Sequence, residues 1–81
     1  MIEVEARLYA SLSKYYPEGR AGDILVLNLA DGTTIRQALE RSLAIPPDEV
    51  KMVFVNGSAE EFDHPLSDGD RIGIFPPVAG G

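Results

Sequence analysis

Ile2, Val4, Ala6 and Leu8 alternate with Glu3, Glu5, Arg7 and Tyr9 at the start of the chain. This period of two, held over eight residues, constrains the fold more than any other feature. Side chains point to opposite faces along a strand, so one face here is apolar and has to be covered. The cover is visible further on. Ile35, Ala38, Leu39 and Leu43 form one stripe at helical spacing, with Arg36, Glu40 and Arg41 off it. Thr34 precedes the stripe as a candidate N-cap, and Gln37 stands three residues later, the spacing of a capping box. The pattern predicts a helix from Thr34 to Ala44, ended by Pro46-Pro47.

The remaining apolar runs are strand-like. Ile24–Leu29 places Leu25, Leu27 and Leu29 on one face. Met52–Val55 is closed by Asn56-Gly57, a hairpin-turn pair in which both residues tolerate positive φ. Ala59–Phe62 reads as a short edge strand. Arg71–Phe75 follows the Asp68-Gly69-Asp70 turn with Ile72 and Ile74 on one face. Leu12, Tyr15 and Tyr16 suggest one helical turn, broken by Pro17, Gly19 and Gly22. The sum is an α+β chain: a mixed sheet of four or five strands with one main helix on one face. The expected core is Ile2, Val4, Leu8, Leu25, Leu27, Ile35, Leu39, Leu43, Val53, Val55, Ile72 and Ile74.

With 81 residues there is room for one such core. No cysteine is present, which removes disulfides, thiolate metal sites and thiol nucleophiles, so packing alone holds the fold. The formal net charge of −6 argues against nucleic acid, which needs clustered Lys and Arg to displace counterions. No apolar run reaches the ~18 residues of a membrane span, and the N-terminus lacks a signal-peptide pattern. A soluble, cytoplasmic protein is expected.

Few side chains offer chemistry. His64 is the single histidine and has no second His or Cys to share a metal, so no metal site is expected. Asp63, Asp68 and Asp70 fit turn formation better than a calcium loop. The serines lack a nucleophile-elbow context. The C-terminus has more to offer. Pro76-Pro77 favour an extended chain, and six extended residues reach roughly 20 Å. Gly80-Gly81 have no side chains and would pass a narrow channel. The Gly81 carboxylate is an unhindered acyl group, open to adenylation and then to attack by a sulfur or amine nucleophile. The domain is expected to span 1–75, with a flexible tail at 76–81.

Three segments give this reading a context: Val55-Asn56-Gly57, Phe62-Asp63-His64-Pro65-Leu66-Ser67-Asp68-Gly69-Asp70, and Phe75-Pro76-Pro77-Val78-Ala79-Gly80-Gly81. Together they resemble the MoaD/ThiS family of ubiquitin-like sulfur carriers, most closely its molybdopterin synthase small-subunit branch. The resemblance implies a β-grasp fold with the first and last strands as parallel neighbours. It implies that a ubiquitin-activating-like enzyme uses ATP to adenylate Gly81, that a thiocarboxylate is then formed, and that no cofactor is bound. It further implies that a large synthase subunit takes the tail, including Gly80, and passes sulfur to a pyranopterin precursor in molybdenum or tungsten cofactor biosynthesis. The carrier itself would be non-catalytic. Family members meet partners through an apolar patch on the exposed sheet face, which maps here onto Tyr9, Ala59 and Phe75, followed by Pro76, Pro77, Val78 and Ala79. Three alternatives share these features: a carrier for thiamine, cysteine or tRNA thiolation, a protein modifier joined through Gly81, and an interaction module that ends in glycine.

Overall fold

The computed structural model describes residues 1–77. Five strands form one mixed sheet: β1 (Ile2–Leu8), β2 (Leu25–Leu29), β3 (Met52–Val55), β4 (Ser58–Glu60) and β5 (Arg71–Phe75). Their order across the sheet is β2-β1-β5-β3-β4. β1 and β5 run parallel, with Ala6 opposite Ile72 and Leu8 opposite Ile74, and every other pairing is antiparallel. This is the β-grasp arrangement, and the parallel pair is the expected one. It is possible because everything between β1 and β5 serves as a long crossover.

The covered face is packed as the alternation requires. Val4, Ala6, Val53 and Ile74 have no exposed surface, nor do Ile35 and Leu39 from the helical segment above them. Ile2 departs from expectation and is only partly buried. As the first residue of β1 it sits at the rim of the sheet. The connections also supply core residues outside the predicted apolar stripes: Leu12, Tyr16, Ile45, Val50 and Leu66. Tyr16 keeps its hydroxyl satisfied by accepting the Leu8 N–H at 3.0 Å.

The helix starts where the capping residues place it. Thr34 Oγ1 accepts from the Gln37 N–H at 3.2 Å, and Gln37 Oε1 accepts from the Thr34 N–H at 3.1 Å. The next two N–H groups are met from outside the helix. Ile35 donates to the His64 carbonyl at 3.0 Å and Arg36 to the Phe62 carbonyl at 2.9 Å. The Phe62–Leu66 segment thus docks the helix N-terminus through its backbone, satisfying donors that a helix start leaves open.

The regular helix predicted for Thr34–Ala44 is corrected. Only α1 (Ile35–Gln37) is α-helical, and Ala38–Ser42 continues as a π-helix. Leu43 donates to Ala38, five residues back, and Ile45 donates to Leu39. Ala44 between them takes φ +55°. A wide turn closed by a left-handed residue buries both Leu43 and Ile45. The helix therefore ends before Pro46-Pro47 and for a different reason. Pro47 opens a 3-10 turn, Pro47–Glu49. The other predicted turn, around Leu12, is the 3-10 helix Ala10–Tyr15.

The edge strand predicted at Ala59–Phe62 is shifted to Ser58–Glu60. Asn56 (φ +51°) and Gly57 (φ +87°) form a two-residue turn that sets Ser58 directly opposite Val55, so pairing begins at once. Phe62 lies outside the ladder, with the Arg36 guanidinium 5.3 Å from its ring centre. The second strand similarly begins at Leu25 and leaves Ile24 exposed.

Candidate functional site

The face of the sheet turned away from the helix has no cover among the described residues. Alternation in β1 and its extension turns Glu5, Arg7 and Tyr9 to it, in β3 Met52 and Phe54, and in β5 Arg71, Gly73 and Phe75. Register then assembles them. Met52 pairs with Phe75, Phe54 with Gly73, and Gly73 with Arg7.

The result is a cluster of three rings. Tyr9 and Phe75 stack with centres 4.4 Å apart and planes 2° from parallel. Phe54 meets Phe75 edge-on at 5.6 Å and 87°, an arrangement favoured by the ring quadrupoles. Gly73 is the floor. A Cβ there would stand 3.2 Å from Tyr9 Cε2 and 3.3 Å from Phe75 Cε1. The absent side chain lets both rings lie close to the strand.

Phe75 is held on both sides of its strand. Tyr9 donates its N–H to the Ile74 carbonyl at 3.1 Å, and Lys51 donates to the Phe75 carbonyl at 2.9 Å. Pro76 and Pro77 follow and bring no N–H for further pairing. Pro76 is half-buried and Pro77 exposed. The chain thus leaves the sheet beside the aromatic cluster.

Of the residues singled out from sequence, Tyr9 and Phe75 come together in direct contact. Ala59 is exposed one strand further out, opposite Phe54 on β4. Val78, Ala79, Gly80 and Gly81 lie outside the described residues, as does most of the tail expected at 76–81. Sequence reasoning missed Phe54, Met52 and Gly73. The signal was available for the first two: if Val53 and Val55 point inward, Met52 and Phe54 point outward.

The polar candidates are structural. Asp68 Oδ1 accepts the Glu3 N–H at 2.8 Å. Asp70 is buried, accepting from Asn56 Nδ2 at 2.9 Å and from the Ser67 N–H at 2.8 Å. Both tie the turn before β5 to its neighbours. His64 Nδ1 lies 3.5 Å from Glu60 Oε1. Among the described residues no three His, Asp or Glu side chains gather into a group that could hold a metal ion. A separate polar group joins the two 3-10 turns: Glu49 accepts from the Tyr15 hydroxyl at 2.5 Å and pairs with Lys14 at 3.0 Å. The Tyr15 hydroxyl, and then the Lys14 ammonium, hold the Glu49 carboxyl below its ordinary range, and both donors are raised in turn by Glu49. No helix among the described residues is long and apolar enough to cross a membrane.

An open sheet face with an aromatic cluster at the chain's exit suits recognition of another protein. The family model described as Mut7-C ubiquitin matches residues 1–80. The chain belongs to the Mut7-C ubiquitin family. A second likeness is local: 27 residues are 59% identical to the molybdopterin synthase sulfur carrier subunit of Escherichia coli K12, a stretch covering 33% of each chain. The match therefore spans a third of that protein's length. Among solved structures, a candidate subunit 1 of molybdopterin converting factor from Pyrococcus furiosus superposes with a TM-score of 0.72 at 24% identity, covering 96% of this chain and 100% of that one. Small archaeal modifier protein 1 of Haloferax volcanii gives 0.72 at 22% identity, covering 96% and 100%. At those identities the likeness is one of fold. This member of the Mut7-C ubiquitin family shares its ubiquitin-like fold with proteins of both kinds.

Proposed function

We propose that this chain is a sulfur carrier of the molybdopterin synthase small-subunit type. The observation that carries the reading is the 59% identity over 27 residues with the E. coli sulfur carrier subunit, joined to a chain end that reads Pro76-Pro77-Val78-Ala79-Gly80-Gly81. The Gly81 carboxylate attacks the α-phosphate of ATP on an activating enzyme and releases pyrophosphate. A sulfur donor then displaces AMP to leave a thiocarboxylate. A large synthase subunit receives this end, and the thiocarboxylate sulfur bonds to a pyranopterin precursor. Water then cleaves the acyl carbon–sulfur bond, which leaves the sulfur on the precursor and restores the carboxylate. The carrier contributes the handle and the docking face, and its partners contribute the catalysis. Phe75 supports this division of labour, since it belongs to the aromatic cluster and also precedes the two prolines that lead to the acyl group.

The test is ATP–pyrophosphate exchange with the activating enzyme, alongside mass spectrometry for the roughly 16 Da gain as sulfur replaces oxygen. Deleting Gly81 shifts the acyl carbon by about 3.5 Å. Misplacement of ~1 Å can cost about 10²-fold in rate, so exchange should be lost while the domain stays folded. Normal exchange without Gly81 would overturn the proposal. A second reading, protein modification through Gly81, is favoured by the structural likeness to the Haloferax modifier. It predicts high-molecular-weight adducts in extracts that disappear with the same deletion.

A further inference from the structure

We propose that Arg7 makes the open sheet face selective for a partner surface that sets a carboxylate against its guanidinium and an aliphatic side chain on the adjoining aromatic rings.

The chain is acidic, with a formal net charge of −6. Judged by that charge, a partner would be basic. The groove on the open face has the opposite balance. Arg7 and Arg71 line it together with a single carboxylate, Glu5, and that carboxylate is already engaged by Arg71 at 3.7 Å. Arg7 is exposed and forms no ion pair among the described residues. The reason is its register. The residue opposite Arg7 on β5 is Gly73, which has no side chain to answer it. Gly73 therefore has two effects: it lets Tyr9 and Phe75 lie close to the strand, and it leaves the neighbouring guanidinium free.

The apolar half of the site adjoins this cation. Phe54 pairs across from Gly73 on the far side of β5, and its ring meets Phe75 edge-on. Met52 beside Phe75 is 38% exposed. A partner segment with an aliphatic residue next to an acidic one would meet an apolar surface and a cation along the same groove. A second copy of this chain is a poor occupant, because face-to-face docking would bring like guanidinium groups together.

A cation at the rim of a docking face acts mainly on encounter rate and on the choice of partner. Its effect weakens with salt, because exposed charges are screened over roughly 10 Å at 0.1 M. This sets the experiment. The partner is the large synthase subunit of the same organism, and in that choice alone the proposal rests on the carrier reading. Association rates are measured for the wild-type chain, Arg7→Glu, Arg7→Lys and Arg41→Glu. Arg41 is exposed on the helical segment, off the open face, and both glutamate variants change the net charge equally. Arg7→Glu should slow association by about tenfold or more at low salt, the lower end of electrostatic steering effects, with the difference shrinking at high salt. Arg7→Lys and Arg41→Glu should stay near wild type. Equal effects of Arg7→Glu and Arg41→Glu would overturn the proposal, since only net charge would then matter. Faster association of Arg7→Glu would overturn it too, and would identify a basic partner.

A second arm does not depend on the carrier reading. The peptides acetyl-Leu-Glu-Leu-amide and acetyl-Leu-Lys-Leu-amide are titrated into the labelled chain and followed by amide NMR shifts. The acidic peptide should move Arg7, Gly73 and Phe54, and should lose this effect on Arg7→Glu. Equal shifts with both peptides, or none with either, count against the proposal. If Gly81 proves dispensable for pyrophosphate exchange, the carrier reading falls and the peptides still decide the role of Arg7. If Gly81 is required and Arg7→Glu behaves like Arg41→Glu, this inference alone falls.

Discussion

The two faces of the sheet are made from the same strands, yet they are built by different rules. On the covered face, Val4, Ala6, Val53 and Ile74 are fully buried beneath Ile35 and Leu39. They are aliphatic, and each is held by many weak contacts. On the open face, Tyr9 and Met52 are each 38% exposed and Val26 is 54% exposed. That face carries rings, a glycine and charges. The first face is selected for filling space, and a lost methylene is felt throughout it. The second has its rings ordered by one another and by Gly73, and its energy becomes available when another surface removes it from water.

The comparison is most easily broken on the covered face. Leu39→Ala should destabilise the fold by about 2–5 kcal/mol through the cavity it leaves, a large share of the ~5–15 kcal/mol typical of a domain. Chemical denaturation checks this. A loss under about 1 kcal/mol would mean that the helical segment is not what covers the sheet.

The open face should give the reverse ratio. Tyr9→Ala removes a ring from a half-exposed stack and should cost about 0.5–1.5 kcal/mol in stability. Its effect on partner affinity should be larger, about 2 kcal/mol or more if Tyr9 is an interface anchor. Denaturation and a binding titration on the same variant sharpen the contrast. A stability loss that exceeds the binding loss would move Tyr9 to the structural side.

The smallest effect belongs to neither face. Glu49 joins the two 3-10 turns through Tyr15 and Lys14, and its carboxyl is held below the ordinary value of 4.5. A depressed carboxylate contributes stability that is present above its unfolded value and lost as pH falls through its folded one. The partners act at the other end. Lys14 is raised above 10.5 and Tyr15 above 10.0, so their contributions are present below those values and fade as pH rises through the folded ones. Thermal melts of wild type and Glu49→Gln should differ slightly at neutral pH and converge as pH falls below 4.5. A gap that stayed constant down to strongly acidic pH would remove the ion from the explanation.

Much of this architecture is legible along the chain. The alternation in β1, the Thr34–Gln37 capping box and the Asn56-Gly57 turn each follow from interactions within a few residues, and each is found where the pattern places it. The helix departs from the predicted regular form because its geometry answers to distant groups. Burial of Leu43 and Ile45 goes with the wide turn over Ala38–Ser42, and nothing local signals it. His64 shows the same limit from the other side. Its ring is what stands out in the sequence, while its carbonyl is what the fold uses, to receive the Ile35 N–H.

For the candidate site the division is similar. Tyr9 and Phe75 stand out by position, one on the polar side of the first strand and the other out of phase before the prolines. Their stacking depends on β1 and β5 being parallel neighbours, so a sequence separation of 66 residues becomes 4.4 Å between rings. Phe54, Gly73 and Arg7 join them only through cross-strand register. The sequence by itself determined which residues alternate and where the chain caps and turns, because these depend on neighbours along the backbone. Only the tertiary structure decided which outward residues share one surface and which charge on it goes unanswered, because register between distant strands is settled by packing of the opposite, buried face.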